Sequence, residues 1–338
     1  MTGIAPGPYG AGDQGNKGAI VLQQTDPVRR TSEIEELTNL YVIHPVSGWL
    51  RGDFGLVGVA PNAVWRGGMA AGVLAGVAYH HVGDWRFAVA GFLLMVVWHV
   101  MDGADGQLAR LTGKQSQTGK ILDGICDYVT FVSVYVGLAL ALSALYGAWV
   151  WALVVLAGGC HAVQSAAYER QRQDYNFWGW ARGSAPVARA KVASGRRVGD
   201  LLFGLYNRLE ALTAPGGEAG LNQRLAALLA AHPDRAPVIR QAYREAFAPL
   251  LRGWSILSAN YRTIGIFLCV ICRVPLAYFM FEIVGFSAIL MLLLARQRMC
   301  DGAFMAGLDG LAGDVPCPGE RRRDQAVFAV KAEASLVP

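Results

Sequence analysis

Charge is scarce in this 338-residue chain. Only 16% of its side chains are Asp, Glu, Lys or Arg, against roughly 25% in an average soluble domain. That deficit excludes a disordered, collagen-like or ordinary water-soluble protein and favours one that turns much of its surface toward lipid. Cysteine is also dilute: six residues in 338 cannot staple a disulfide scaffold. The one close pair, Cys269 and Cys272, sits in the apolar run IGIFLCVICRVPLAYF and reads as two small buried hydrophobes, not a redox or zinc pair. No basic start followed by a short apolar stretch opens the chain, so no cleavable signal peptide is expected. No repeat or low-complexity tract stands out. A net charge of +5 is too slight to argue for a nucleic-acid partner.

What the chain has in quantity is apolar surface, 54% of residues, together with 41 glycines, a pairing suited to membrane helices whose backbones approach closely. Six apolar stretches are legible: 62–79, 85–101, 125–145, 149–165, 256–272 and 276–295. Each is near the ~20 residues that a helix needs to cross a bilayer. The expected fold is therefore all-α and polytopic, with six transmembrane helices. Residues 1–60 read as an N-terminal arm containing a short amphipathic helix along the membrane surface, SEIEELTNLYVIHPVSGWL, with Ser32 as N-cap and Glu35 in capping-box position. Residues 61–296 form the membrane domain, and 297–338 a C-terminal tail. Within the membrane domain, 166–253 is a long basic connection, expected to contain two short helices divided near Pro233. It holds 13 Lys and Arg against 7 Asp and Glu, a surplus that exceeds the net charge of the whole chain.

That asymmetry sets the expected orientation. The connection near His80–Arg86 and the one at Arg273–Pro275 each carry a single Lys or Arg, and Tyr146–Ala148 carries none. The opposite side holds Arg110, Lys114, Lys120, the basic connection and the tail from Arg296 through Arg321, Arg322 and Arg323. Both termini and the active site are thus expected in the cytoplasm, with the basic connection against anionic membrane lipids.

One stretch carries the chemistry: HVMDGADGQLARLTGKQSQTGKILDGICDYVTF. Continued as a helix, the second span places Asp102, Asp105, Gly106, Ala109 and Arg110 at offsets 0, 3, 4, 7 and 8, a single face. After a polar break, Gly119, Asp123 and Asp127 fall at offsets 0, 4 and 8 on the next helix. Two antiparallel helices then turn four carboxylates toward one point at the cytoplasmic membrane boundary. Like charges brought together there must protonate or recruit cations. An all-oxygen donor set suits Mg²⁺ or Mn²⁺, and two such ions could bridge the phosphates of a nucleotide-activated substrate. Gly106 and Ala109 leave room on the same face for a nucleotide, and Arg110 supplies a fixed cation for a phosphate.

The string Asp102-Gly-Ala-Asp105-Gly106-Gln-Leu-Ala109-Arg110, eight residues, Gly119, three residues, Asp123, three residues, Asp127 resembles the CDP-alcohol phosphotransferase signature at every fixed position. The resemblance covers about 61–165 and, more loosely, 254–296. It implies a six-helix membrane enzyme that displaces CMP from a CDP-linked alcohol with the hydroxyl of a second alcohol, one of the two lipidic. It also implies that Asp102, Asp105 and Asp123 bind the metal pair, and that Asp127 joins them as general base. Asp123 and Asp127 then count as catalytic, while Gly106, Ala109, Arg110 and Gly119 hold the CDP portion. Pro61-Asn62 resembles the dipeptide at the entrance of the family's first span, which puts Asn62 near the nucleotide. CDP-diacylglycerol is the favoured donor, because a basic connection could collect anionic acceptors. A CDP-linked polar headgroup passed to a diacylglycerol- or ceramide-like acceptor is the alternative. A homodimer would suit the family.

Arg262 and Asn260, at the start of the fifth span, are candidate ligands of a polar headgroup, against an ordinary snorkelling arginine. Arg170 and Arg172 are expected to meet membrane lipid or an anionic acceptor. His99 and His161 are expected in hydrogen-bonded packing, not catalysis. Two rival classes remain. An intramembrane prenyltransferase would need a second acidic motif far along the chain, and 166–338 has none near a span. A transporter would need its site near mid-membrane.

Overall fold

The computed structural model describes residues 32–36, 38–43, 45–47, 61–111, 117–183 and 218–312. Of the helical residues 61–63, 65, 105–111 and 117–125 it describes the backbone course alone. The described part is helical throughout, without a strand. Helix α1 spans Pro61–His80, α2 Trp85–Leu111, α3 Gln117–Tyr146 and α4 Trp149–Trp180. Then come α5, Glu218–Ala231, α6, Ala236–Trp254, and α7, Ala259–Ile271. Helix α8, Pro275–Met280, runs through a π-type turn, Phe281–Gly285, into α9, Phe286–Ala312.

Five helical stretches among the described residues are long and apolar enough to cross a membrane: Trp85–Ala104, Cys126–Tyr146, Trp149–Trp180, Pro233–Ile271 and Pro275–Leu308. These agree with five of the six expected spans. The first expected span does form a 20-residue helix, α1, but it is not among the five, since Asn62, Arg66 and the glycines at 67, 68, 72 and 76 dilute its apolar content.

Those glycines have another use. Gly68, Gly72 and Gly76 recur every fourth residue and form one stripe. A Cβ at Gly68 would meet Met101 of α2, one at Gly72 the side chain of Thr130, and one at Gly76 the backbone at Ser133. From the other side, a Cβ at Gly137 would run into the carbonyl of Gly76. Helices α1 and α3 thus run parallel with their backbones in contact, and α1 wedges against α2 on its other flank. Backbone has nowhere to retreat. Gly137→Val should therefore destabilise the domain by about 3 kcal/mol, read as an earlier midpoint in denaturant unfolding of the detergent-solubilised protein. An unchanged midpoint would contradict the crossing.

Among the described residues two large apolar cores follow, beside a small contact of Val64 with Ala104. The first joins Ala75 and Tyr79 of α1, Met95 and Trp98 of α2, Val134 and Leu138 of α3, Val150 and Val154 of α4, and Tyr278 and Phe279 of α8. The second lies beyond it, because α4 is too long for a bilayer alone. Its 32 residues extend about 48 Å, against a hydrocarbon core of about 30 Å. The surplus end of α4 packs with α5, α6 and the far half of α9. Residues Ile239, Tyr243, Phe247, Leu251 and Trp254 make one apolar stripe along α6, buried against Tyr175, Trp178, Leu225, Phe304 and Leu308. The two short helices expected near Pro233 are α5 and α6, divided by a turn at Pro233–Arg235.

Helix α6 also ends α4. The left-handed Ala181 closes the last turn, its N–H donating to the Phe177 carbonyl (3.0 Å). Arg240 adds donors to the carbonyls of Phe177 (2.9 Å) and Trp178 (2.8 Å), near the end, where helix carbonyls run short of partners. Arg244 donates to Gly179 (2.9 Å) and lies 4.2 Å over the Trp180 ring. Part of the basic connection is thus engaged in protein contacts. So is Arg172, paired with Glu169 at 2.7 Å.

Residues 32–47 meet the expected helix in part: 38–43 and 45–47 are helical, while 35–36 interrupt it. Their described parts include a 3-10 turn at Ser32–Ile34 and a π-type turn at Asn39–Ile43. Glu35 accepts from Asn39 (3.1 Å). A continuous helix cannot bury Ile34 in the second core and Glu36 beside α7 at once, and both are buried. The cysteines also depart in part from expectation. Cys269 and Cys272 are free thiols, Cys269 half-buried but Cys272 exposed where α7 ends.

Candidate active site

All the signature positions fall on two helices. Asp102, Asp105, Gly106, Ala109 and Arg110 lie in the last turns of α2, which continues unbroken to Leu111. Gly119, Asp123 and Asp127 lie in the first turns of α3. Helix α1 runs antiparallel to α2 and parallel to α3, so α2 and α3 run in opposite directions. They touch through Trp98 and Phe131, whose rings meet edge to face at 5.5 Å. Trp98 lies four residues before Asp102 and Phe131 four after Asp127, so each aspartate stacks on the same helical face as its ring. One turn beyond the ring contact, Asp102 and Asp127 occupy the same end of the pair, both half-buried.

The side chains of Asp105, Gly106, Ala109, Arg110, Gly119 and Asp123 lie outside the described residues, as does that of Asn62. Among the described side chains no group of three or more His, Cys, Asp or Glu is gathered as a metal centre. His99 lies one turn from Asp102 on α2. It is hydrogen-bonded to Thr263 Oγ1 at 2.9 Å, which ties α7 to α2. His161 is likewise packed, with Nδ1 3.1 Å from the Tyr135 hydroxyl.

Residues 59–193 match the CDP-alcohol phosphatidyltransferase family model. The matched stretch contains α1 to α4 and both halves of the signature. No curated protein and no solved structure matches the chain. Members of the CDP-alcohol phosphatidyltransferase family are transferases of phosphorus-containing groups, which move a phosphoalcohol group from a CDP-alcohol in lipid synthesis. The family is generally dependent on divalent metal. With five apolar helices, the chain has the character of a multi-pass membrane protein.

Beneath this end of the bundle lies a polar network that the sequence reading missed. Arg262 is fully buried, 0% exposed, as is Glu282. Arg262 Nε donates to Glu282 Oε1 at 3.2 Å, Nη2 donates to Gln164 Oε1 at 2.7 Å, and Nη1 donates to the carbonyls of Leu257 and Ser258. The Tyr278 hydroxyl donates to Glu282 Oε2 (2.8 Å) and lies 3.0 Å from the Tyr135 hydroxyl. Arg262 was expected at a headgroup or snorkelling to the membrane surface. The structure commits its donors to the protein interior instead, because Glu282 faces it from the π-type turn. Asn260 is committed too: its amide donates to Glu36, Thr38 (2.9 Å) and Asn39 (2.8 Å). A signal for Glu282 was present, since it is the one acid in the run PLAYFMFEIVGFSAILMLLL and an ionisable group at membrane depth carries a role by default.

Proposed function

We propose that the protein is a metal-dependent CDP-alcohol phosphotransferase. It moves the phosphoalcohol group of CDP-diacylglycerol to a second, water-soluble alcohol and releases CMP. The observation that carries this reading is the full signature on two antiparallel helices, with Asp102 and Asp127 at one end of the Trp98–Phe131 contact. The donor set fits a pair of Mg²⁺ or Mn²⁺ ions: four carboxylates offer hard oxygens, and His99 is occupied by Thr263. Asp102, Asp105, Asp123 and Asp127 would hold them. When bound, such ions neutralise the diphosphate and the charge that grows on the departing phosphate.

The chain's own residues do the rest. Gly106, Ala109, Arg110 and Gly119 seat the CDP portion, with Arg110 gripping phosphate oxygens in fork geometry and Asn62 near the nucleotide. Asp127 takes the acceptor hydroxyl's proton. The freed oxygen bonds to the phosphorus bearing the transferred alcohol, the bond from that phosphorus to the bridging oxygen breaks, and CMP departs. Arg262 and Asn260 serve by fixing α7 against this end, and any headgroup role they have is exercised through that placement. Helix α1 completes a six-helix membrane domain, with both termini and the site on the cytoplasmic side and lipid along the basic surface. A homodimer in the membrane is part of the proposal.

The test is product identity. Full-length protein in lipid nanodiscs with Mg²⁺ and a water-soluble alcohol panel should release CMP from CDP-diacylglycerol, and EDTA should stop it. CMP from CDP-choline in the presence of diacylglycerol would reverse donor and acceptor. Inorganic diphosphate from a prenyl diphosphate would make the protein a prenyltransferase, and no turnover on any of these would leave a transport role.

A further inference from the structure

The segment before the membrane domain crosses the bundle at the signature. At one end Glu33 accepts from the Tyr175 hydroxyl of α4 (2.7 Å), and its carbonyl accepts from Arg252 Nε of α6 (3.0 Å). Glu36, buried, accepts from Ser258 Oγ (2.8 Å) and from Asn260 at the head of α7, with the Tyr168 hydroxyl at 3.4 Å. At the other end Ser47, fully buried, donates to the carbonyl of Val100 on α2 (2.8 Å). Gly103, between Asp102 and Asp105, lets that segment come close. A Cβ there would stand 2.8 Å from Ser47 Oγ and 3.3 Å from Ile43 Cγ2. The free position of the signature next to Asp102 is thus occupied by the only residue small enough for this approach.

We propose that the described residues of 32–47 form a strap that positions Asp102, with Glu36 as its anchor and Ser47 as its bearing on the motif helix. Both are positioning residues, acting on the metal-binding aspartate through the backbone of α2. A buried carboxylate with three donors from two helices has one low-energy placement, and the strap transmits it to residues 100–103. The proposal rests on the transferase reading, since it gives Asp102 its task. Groups that orient a metal ligand from behind typically change metal affinity or activity by about 10- to 100-fold when removed.

The test uses the full chain in nanodiscs with Glu36→Ala, Glu36→Gln and Ser47→Ala. Two readouts are followed: the Mg²⁺ concentration for half-maximal CMP release, and amide exchange over 98–111 with and without Mg²⁺ plus CDP. In the unaltered chain Mg²⁺ and CDP should slow exchange over 98–111. Glu36→Ala and Ser47→Ala should raise the half-maximal Mg²⁺ concentration about tenfold and weaken that slowing, with the acceptor KM unmoved. Glu36→Gln, which keeps an acceptor oxygen, should fall between. If Mg²⁺ and CDP slow exchange equally in the unaltered chain and in both alanine variants, the strap is overturned while the transferase reading stands. If they have no effect even in the unaltered chain and no CMP forms, the transferase reading falls and takes the strap with it.

Discussion

Asp127→Asn is expected to lower metal-dependent CMP release about a thousandfold, while the protein inserts and purifies as before. Asn copies the shape of Asp, so the packing of Asp127 one turn above Phe131 is kept. On the proposed mechanism, what disappears is the basic oxygen that would receive the hydroxyl proton, together with one negative charge beside the proposed metal site. Asp123→Asn should fall by a comparable factor, through the loss of a carboxylate that the proposal places at the metals. The two can be told apart: extra Mg²⁺ should recover part of the Asp123 loss and little of the Asp127 loss, because a missing base is not restored by mass action. Turnover by Asp127→Asn within about threefold of the original would remove it from the reaction.

The second large effect concerns stability. Glu282→Ala should destabilise the membrane domain by about 3–5 kcal/mol, seen as a lower denaturant midpoint in detergent. The Arg262 guanidinium would then sit in a fully buried place with its charge uncompensated. Gln164 and the carbonyls of Leu257 and Ser258 would still accept from it, but they carry no net charge. The pair as a whole need not be worth as much as either half. Arg262→Met combined with Glu282→Leu should recover most of the loss, since replacing both charges by apolar groups of similar volume is often neutral. A double-mutant cycle measures this directly. Additive losses in the double variant would show that the two side chains do not depend on each other.

How much of this was legible depended on distance along the chain. The aspartate register on α2 and α3 could be read because helical offsets of three, four and eight residues are local geometry. So could the break between α5 and α6, which Pro233 marks. Helix α1 was legible as a helix but not as a glycine wedge. That role needs Thr130, Ser133 and Gly137 on its face, more than fifty residues away. The Arg262–Glu282 pair was hidden for a similar reason. The rotation of Glu282 is set by a π-type turn, which no periodicity announces. In residues 32–47 the helical spacing holds for 38–43 and 45–47 but not at 35–36, where the buried carboxylate of Glu36 answers to Ser258 and Asn260, more than two hundred positions later.

The closure of α4 by α6 has a consequence for biosynthesis. The carbonyls of Phe177, Trp178 and Gly179 are met by Arg240 and Arg244, which leave the ribosome some sixty residues afterwards. During synthesis at about 5–20 residues per second, the end of α4 therefore waits several seconds for the partners that complete it. Until then the Phe177 carbonyl has the Ala181 amide, while those of Trp178 and Gly179 lack their arginine donors, and the aromatic face of Tyr175 and Trp178 lies bare. The nascent chain is most exposed to misassembly in that interval.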